Sequence, residues 1–189
     1  MELWKIRPDG SDLVQITDGG GSYHAWSPDG RRLAAVRSFS PQSADSGVVV
    51  FDPNLPWKQQ RLDVLPPMEP APARFLVNSW SPDGERLAGQ IDMPGRGIAA
   101  YSIRSRTYER LSDFGEWPVW LPDSRRILFV ADGKAFYVLD SRSKQIRKIL
   151  SVTADVIGPP RLARDGTAYF SRRITEADVY SFHCSAPTP

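Results

Sequence analysis

An all-β array of four-stranded units is the fold class that this sequence predicts, and three observations predict it. A five-residue segment, Trp26-Ser27-Pro28-Asp29-Gly30, recurs letter for letter as Trp80-Ser81-Pro82-Asp83-Gly84. Degenerate copies follow: Trp120-Leu121-Pro122-Asp123-Ser124 keeps Trp, Pro and Asp, and Leu162-Ala163-Arg164-Asp165-Gly166 keeps only Asp and Gly. Their aspartates lie 54, 40 and 42 residues apart, and the last two spacings match the roughly 40–45 residues of a four-stranded propeller blade. Around the copies apolar residues alternate or run continuously, and no segment of any length shows helical periodicity. Self-similarity at this period in an all-β chain predicts a β-propeller of four-stranded antiparallel blades, with about four blades present.

Each motif copy reads as a tight hairpin turn. Pro fixes φ near −65° at the second turn position, Asp tolerates the next, and Gly takes positive φ to re-enter the strand. Ser124 departs from this chemistry and is expected to strain or alter the third turn. A second strand follows each copy, at Arg32–Val36, Arg86–Gln90, Arg126–Val130 and Thr167–Ser171. Third strands read Val48–Phe51, Ile98–Tyr101 and Phe136–Leu139, each closed by a polar turn. Fourth strands read Gln60–Asp63, Glu109–Ser112 and Arg147–Leu150, where polar flanks around one apolar residue suit an outer position. The long first spacing is explained by a proline-rich insertion, Leu65–Pro72, expected to be extended.

The ends hold part-blades. Leu3–Arg7 and Leu13–Thr17, joined by Pro8-Asp9-Gly10, match third and fourth strands; Pro159–Leu162, Thr167–Ser171 and Asp178–Phe182 match strands one to three. The domain reading is one propeller over 1–189: a partial blade 1–17, blades at about 22–64, 75–113 and 117–151, a partial blade at about 157–182, and a tail 183–189. Leu3–Arg7 and Asp178–Phe182 compete for one third-strand position. The sequence therefore predicts an open arc of a larger propeller, whose unpaired edges invite self-association.

Composition excludes several function classes. A formal charge of +2, with basic and acidic residues interspersed, gives no case for a nucleic-acid partner. The longest apolar runs are far short of the ~20 residues that cross a bilayer, so direct membrane insertion is not expected. The first residues lack the apolar stretch of a signal peptide. One cysteine, Cys184, allows no intrachain disulfide and no cysteine-based zinc cluster.

A repeated Trp-Ser-Pro-Asp-Gly between short strands, with two perfect and two degenerate copies across the chain, resembles the repeat of the TolB-type propellers. The resemblance implies that the innermost strands line a central channel, and that Trp26, Trp80 and Trp120, with Leu162 in the fourth copy, pack between neighbouring blades. It also implies several functional contexts. The family's namesake is a periplasmic protein whose propeller binds a lipoprotein. Similar propellers form sensor-like regions of bacterial serine/threonine kinases and winged-helix regulators, and gate prolyl-oligopeptidase-type peptidases. The segment Thr175–Phe182 with its polar tail resembles the close of the kinase-linked type.

Catalytic signatures are absent from the sequence. There is no Gly-x-Ser-x-Gly elbow, and the Gly19-Gly20-Gly21 run lacks the helix start and Gly-Lys-Ser/Thr of a phosphate loop. Arg164-Asp165-Gly166-Thr167 matches part of a sialidase Asp-box but lacks its Ser and Trp. Asp29, Asp83, Asp123 and Asp165 each belong to their own turn, which favours turn capping over metal ligation. No cofactor and no metal are expected. His24 lies two residues before Trp26 on an inner strand, and His183 lies in the tail.

The expectation is thus a non-enzymatic scaffold binding a protein or peptide through one rim, since loops on a rigid frame carry recognition. The blade order of the TolB-type propellers implies that this rim gathers Thr17–Tyr23, Ser38–Ser46, Val64–Arg74, Met93–Arg96 and Asp113–Trp117. Tyr23, His24, Arg74, Arg96 and Trp117 are the candidate binding residues; Pro28, Gly30, Pro82, Gly84, Pro122 and Gly166 complete the structural motif.

Overall fold

A short antiparallel ribbon opens the chain, β1 (Trp4–Lys5) with β2 (Val14–Gln15). The first full blade is β3 (His24–Trp26), β4 (Leu33–Val36), β5 (Val48–Phe51) and β6 (Asp63–Val64). The second is β7 (Arg74–Trp80), β8 (Arg86–Asp92), β9 (Gly97–Ser102) and β10 (Thr107–Ser112). The third is β11 (Glu116–Trp120), β12 (Arg126–Ala131), β13 (Ala135–Asp140) and β14 (Ile146–Ser151). A final hairpin pairs β15 (Val156–Ile157) with β18 (Arg172–Arg173) and β16 (Arg161–Leu162) with β17 (Ala168–Tyr169). The computed structural model describes residues 2–17, 21, 23–37, 47–70, 72–92, 95–163 and 165–174. Asp178–Phe182 and the tail lie outside the described residues.

Blades stack face to face because their middle strands are apolar on both sides. Along β4, Leu33 and Ala35 face the ribbon beside Leu3 and Ile16, while Ala34 and Val36 face the second blade. In β9, Ala99 and Tyr101 face the first blade, and Ile98 and Ala100 face the third. In β12, Ile127 and Phe129 turn to the second blade and Leu128 and Val130 to the final hairpin. The period-2 pleat thus assigns successive residues of one strand to successive interfaces. Among the described residues β2 pairs with β1 alone and the last hairpin with itself, so the array is an open arc of propeller.

A cation–π joint recurs between blades. The Arg32 guanidinium lies 5.0 Å from the Trp80 ring, and the Arg86 guanidinium 4.4 Å from the Trp120 ring. Each arginine stands at the start of the second strand of one blade, Arg32 just before β4 and Arg86 at the first residue of β8, and covers the tryptophan of the next. Trp80 and Trp120 are accordingly 6% and 3% exposed, whereas Trp26 is 49% exposed. The expectation that all three are inter-blade core fails at Trp26 for a plain reason. The β1–β2 ribbon packs on β4 and β5 through Leu3 and Ile16, and no described residue covers Trp26 as Arg32 covers Trp80.

Other differences from the sequence reading are local. The first blade's outer strand is Asp63–Val64 rather than Gln60–Asp63, because Trp57–Gln59 forms one turn of 3₁₀ helix ahead of it. Of the strand expected over Thr167–Ser171 only Ala168–Tyr169 is paired, as β17, and β18 lies beyond it at Arg172–Arg173. The insertion is anchored: Leu65 and Met68 are buried in the core between the first two blades, and the Tyr108 hydroxyl donates to the Pro66 carbonyl at 2.9 Å.

The motif turn is held by a serine–aspartate relay. Ser81 Oγ donates to Asp83 Oδ1 at 2.5 Å and accepts the Arg86 N–H at 2.8 Å, while Asp83 Oδ1 also accepts the Glu85 N–H at 3.0 Å. Ser27, Asp29, Arg31 and Arg32 repeat the pattern. In the third copy Leu121 replaces the serine, and Asp123 Oδ1 takes the N–H groups of Arg125 and Arg126 directly, at 3.0 and 2.9 Å. Ser124 keeps the turn by adopting φ of 53°, a left-handed conformation that strains a non-glycine residue, where the other copies use Gly30 (70°) and Gly84 (79°). Its Oγ also accepts the Asp83 N–H at 3.0 Å, tying the two turns together.

Capping by N–H and O–H donors favours the charged carboxylate. Asp29 is held below its ordinary pKa by the Ser27 hydroxyl and the Arg31 N–H, and Asp165 by the Thr167 N–H and hydroxyl. At Asp123, burial pulls upward but the Arg126 backbone and side chain and the Arg125 N–H outweigh it. In the turn after β13, Asp140 falls from 3.8 to about 2, chiefly through its bond to Arg125.

Two outcomes follow. Trp80→Ala and Trp120→Ala should each cost about 3–5 kcal/mol in urea melts, and Trp26→Ala within about ±0.5 kcal/mol, as at an exposed site. A large loss at Trp26 would mean that its face is covered in solution. These carboxylates have folded pKa values below their unfolded ones, so their stabilisation is whole above the unfolded value and lost as pH falls toward 2. Urea midpoints should therefore drop on acidification from pH about 5 to pH about 2, and Asp140→Asn should flatten that drop. A midpoint insensitive to acid would contradict the capping role.

Candidate binding site on the channel face

The inner strands converge on one cavity of about 710 Å³. Tyr23, His24, Ala25 and Trp26 come from the first blade; Val77, Asn78, Ser79 and Trp80 from the second; Trp117 and Val119 from the third; and Pro159, Arg161 and Leu162 from the final hairpin. Each contribution is the short stretch that ends at the motif tryptophan, or at Leu162 in its place. The radial stacking of blades brings these equivalent stretches side by side around the channel.

The wall is fixed by bonds that cross from blade to blade. Ser79 Oγ accepts the Trp120 N–H at 3.1 Å, and Gln90 Oε1 accepts the Trp117 N–H at 3.1 Å. Within the second blade, Asn78 sits where the β7–β8 register shifts, and its Oδ1 accepts the Gln90 N–H at 3.2 Å. Gly89 faces this bulge because a Cβ there would lie 2.5 Å from the Leu76 carbonyl oxygen. Trp117 adopts φ of 53°, in a second register shift between Glu116 and Val119. A bulky residue in the left-handed region costs backbone strain, and such strain concentrates where a side chain must be aimed. His24 Nδ1 lies 3.0 Å from the Gly21 carbonyl; a proton donated there leaves Nε2 as the ring's acceptor.

The chemistry of the wall is aromatic with few charges. Tyr23, Trp26, Trp80, Trp117 and His24 supply rings, Asn78 and Ser79 supply amide and hydroxyl groups, and Arg161 supplies a cation. Among the described residues, no carboxylate lines it. Among the described residues, no three side chains of His, Cys, Asp or Glu come together as a metal site would require.

Of the five candidates from sequence, Tyr23, His24 and Trp117 share this cavity. Arg74 does not. It borders a separate cavity of about 320 Å³ beneath the insertion and pairs with Asp92. Arg96 lies outside both cavities, exposed, with Nη1 3.3 Å from Glu116. Trp26, assigned only a packing role from sequence, is a wall residue. Asn78, Ser79 and Arg161 were missed, although alignment of the residues one and two before each Trp or Leu would have found them.

No protein-family model matches the chain, and no curated protein matches it by sequence. Solved structures do. TolB from Acinetobacter baumannii superposes with a TM-score of 0.70 at 20% identity, over 93% of this chain and 44% of that one. The fold is that of a TolB-type β-propeller. A TolB-type structure from Agrobacterium tumefaciens gives 0.69 at 19% identity, covering 93% of this chain and 64% of that one. An oligogalacturonate lyase in complex with manganese gives 0.65 at 12% identity, over 93% of this chain and 54% of that one. The chain thus spans between about two fifths and two thirds of the length of the TolB structures it matches. At these identities the likeness is one of fold. Among the described residues, no helix is long and apolar enough to cross a membrane.

Proposed function

We propose that this chain is a non-enzymatic recognition module whose channel face binds a peptide segment of a protein partner. The observation that carries this is the shared wall of Tyr23, His24, Trp26, Trp117 and Arg161, drawn from three of the four units that line it. Rigid rings with one polar handle give contact area at low entropic cost, which is why Tyr, Trp and Arg dominate recognition surfaces. An arginine on a wall where no described residue supplies a carboxylate favours a ligand carrying an acidic side chain or a C-terminal carboxylate beside apolar groups. The exposed ring of Trp26 would stack on such a ligand.

Selection from a displayed peptide library against the purified chain tests this. Selected peptides should change tryptophan fluorescence, and Trp26→Ala or Tyr23→Ala should weaken binding by about 2 kcal/mol, roughly thirtyfold. Failure to enrich any peptide, or binding indifferent to both substitutions, would remove the channel face as the site. The non-enzymatic reading has its own check. Peptide, ester and oligogalacturonate substrates should persist on incubation; turnover that disappears in His24→Ala would overturn it.

A further inference from the structure

The outer strands of the blades are closed by a repeated clamp. In the second blade Arg106, at φ of 58°, reaches back to the first blade's β6, where Nη1 binds Asp63 at 2.9 Å and Nη2 binds the Val64 carbonyl at 2.9 Å. In the third blade Lys144, at φ of 57°, reaches back to β10, where Nζ lies 3.0 Å from Glu109 and 3.5 Å from the Arg110 carbonyl. Both cations sit in the same turn, closed by N–H bonds from Arg106 to Ser102 and from Lys144 to Asp140. The clamped carboxylates are equivalent: Asp63 pairs across the sheet with Val50, and Glu109 with Ala100. A salt bridge and a bond to an edge carbonyl together blunt a strand that would otherwise be open to pairing.

The third blade inverts this arrangement. The residue equivalent to Asp63 and Glu109 is Arg147, which pairs with Val138. All six residues of β14 are exposed, including Ile146, Ile149 and Leu150. Residues 141–154 contain Arg142, Lys144, Arg147 and Lys148 and no Asp or Glu. Lys144 is committed to Glu109, and Lys148 lies 5.6 Å from the Tyr137 ring. The Arg147 side chain makes no hydrogen bond or ion pair among the described residues. A cationic clamp of the kind used on β6 and β10 would be repelled here.

We propose that β14 is a docking edge for an extended acidic segment of a partner protein, which adds as a further strand to the third blade. Its carboxylate meets Arg147, its apolar side chains meet Ile149 and Leu150, and its backbone pairs with the edge of β14 that no described strand occupies. Main-chain pairing supplies affinity in such strand addition, and the side chains supply specificity. The surface differs from the channel face, so it stands or falls apart from the function proposed above.

The test uses the whole chain and a labelled peptide of alternating glutamate and valine, read by fluorescence anisotropy, with a lysine–valine peptide and polyglutamate as controls. The acidic strand-former should bind saturably, and Arg147→Glu should weaken it on the order of tenfold or more, while Arg147→Lys stays within about threefold. Hydrogen exchange on the unmutated chain should show slowed amides in Ile146–Ser151 when the peptide is bound. Absence of saturable binding overturns the proposal, as does equal binding of polyglutamate or of the Arg147→Glu chain. Unchanged exchange in β14 does so too, by showing that no strand is added. Light scattering that shows the edge already taken by a second copy, with no peptide binding, would assign it to self-association instead.

Discussion

Every middle strand of this chain must bury two faces, and no blade can do that alone. β4, β5, β8, β9, β12 and β13 are apolar on both sides, so each needs a neighbour in front and behind. The remaining architecture answers that demand. Burial of a Leu or Phe side chain is worth about 1.5–3 kcal/mol, so each interface gains on the order of 10 kcal/mol before ordering costs are set against it. Stability in such a stack is close to a sum of unit and nearest-neighbour terms. The terms are unequal here. The full blades share large clusters, whereas the β1–β2 ribbon rests on the first blade mainly through Leu3 and Ile16.

Directional contacts fix the angle between units once burial has brought them together. Arginine over tryptophan joins one blade to the next near the channel, and the αL cation clamps the outer strands at the periphery. Between them, the bonds of Ser79 and Gln90 link the inner strands. The wall of the cavity is therefore held at three radii, and its residues are placed by the array rather than by their own loops. This is the physical basis for reading an aromatic wall as a recognition surface.

The repeat made most of the fold legible. Trp-Ser-Pro-Asp-Gly marks the first turn of each blade because its side chains and φ angles build that turn locally, and such information is written in consecutive residues. Outer strands were harder to place. Asp63–Val64 moved from its expected position because the Trp57–Gln59 turn consumes residues that carry no strong breaker signal. The exposure of Trp26 was hidden for a different reason: the motif is identical to that of Trp80, and only the neighbour decides whether the ring is covered. Of the site, Tyr23, His24 and Trp117 were legible from their place beside the motif. Arg74 was not separable from them, because its partner Asp92 lies on the next strand and turns it elsewhere.

The joint between blades has a consequence for how such chains can lengthen. Its two halves sit in one repeat, the tryptophan closing the inner strand and the arginine at the start of the next strand, yet each half is used with a different neighbour. Tandem duplication of one unit in the gene would therefore copy a complete socket together with a complete plug. The new joint would need no compensating substitution on either side. Growth or loss by whole units is thus a small evolutionary step for this architecture, while a change of any other length would leave a socket empty.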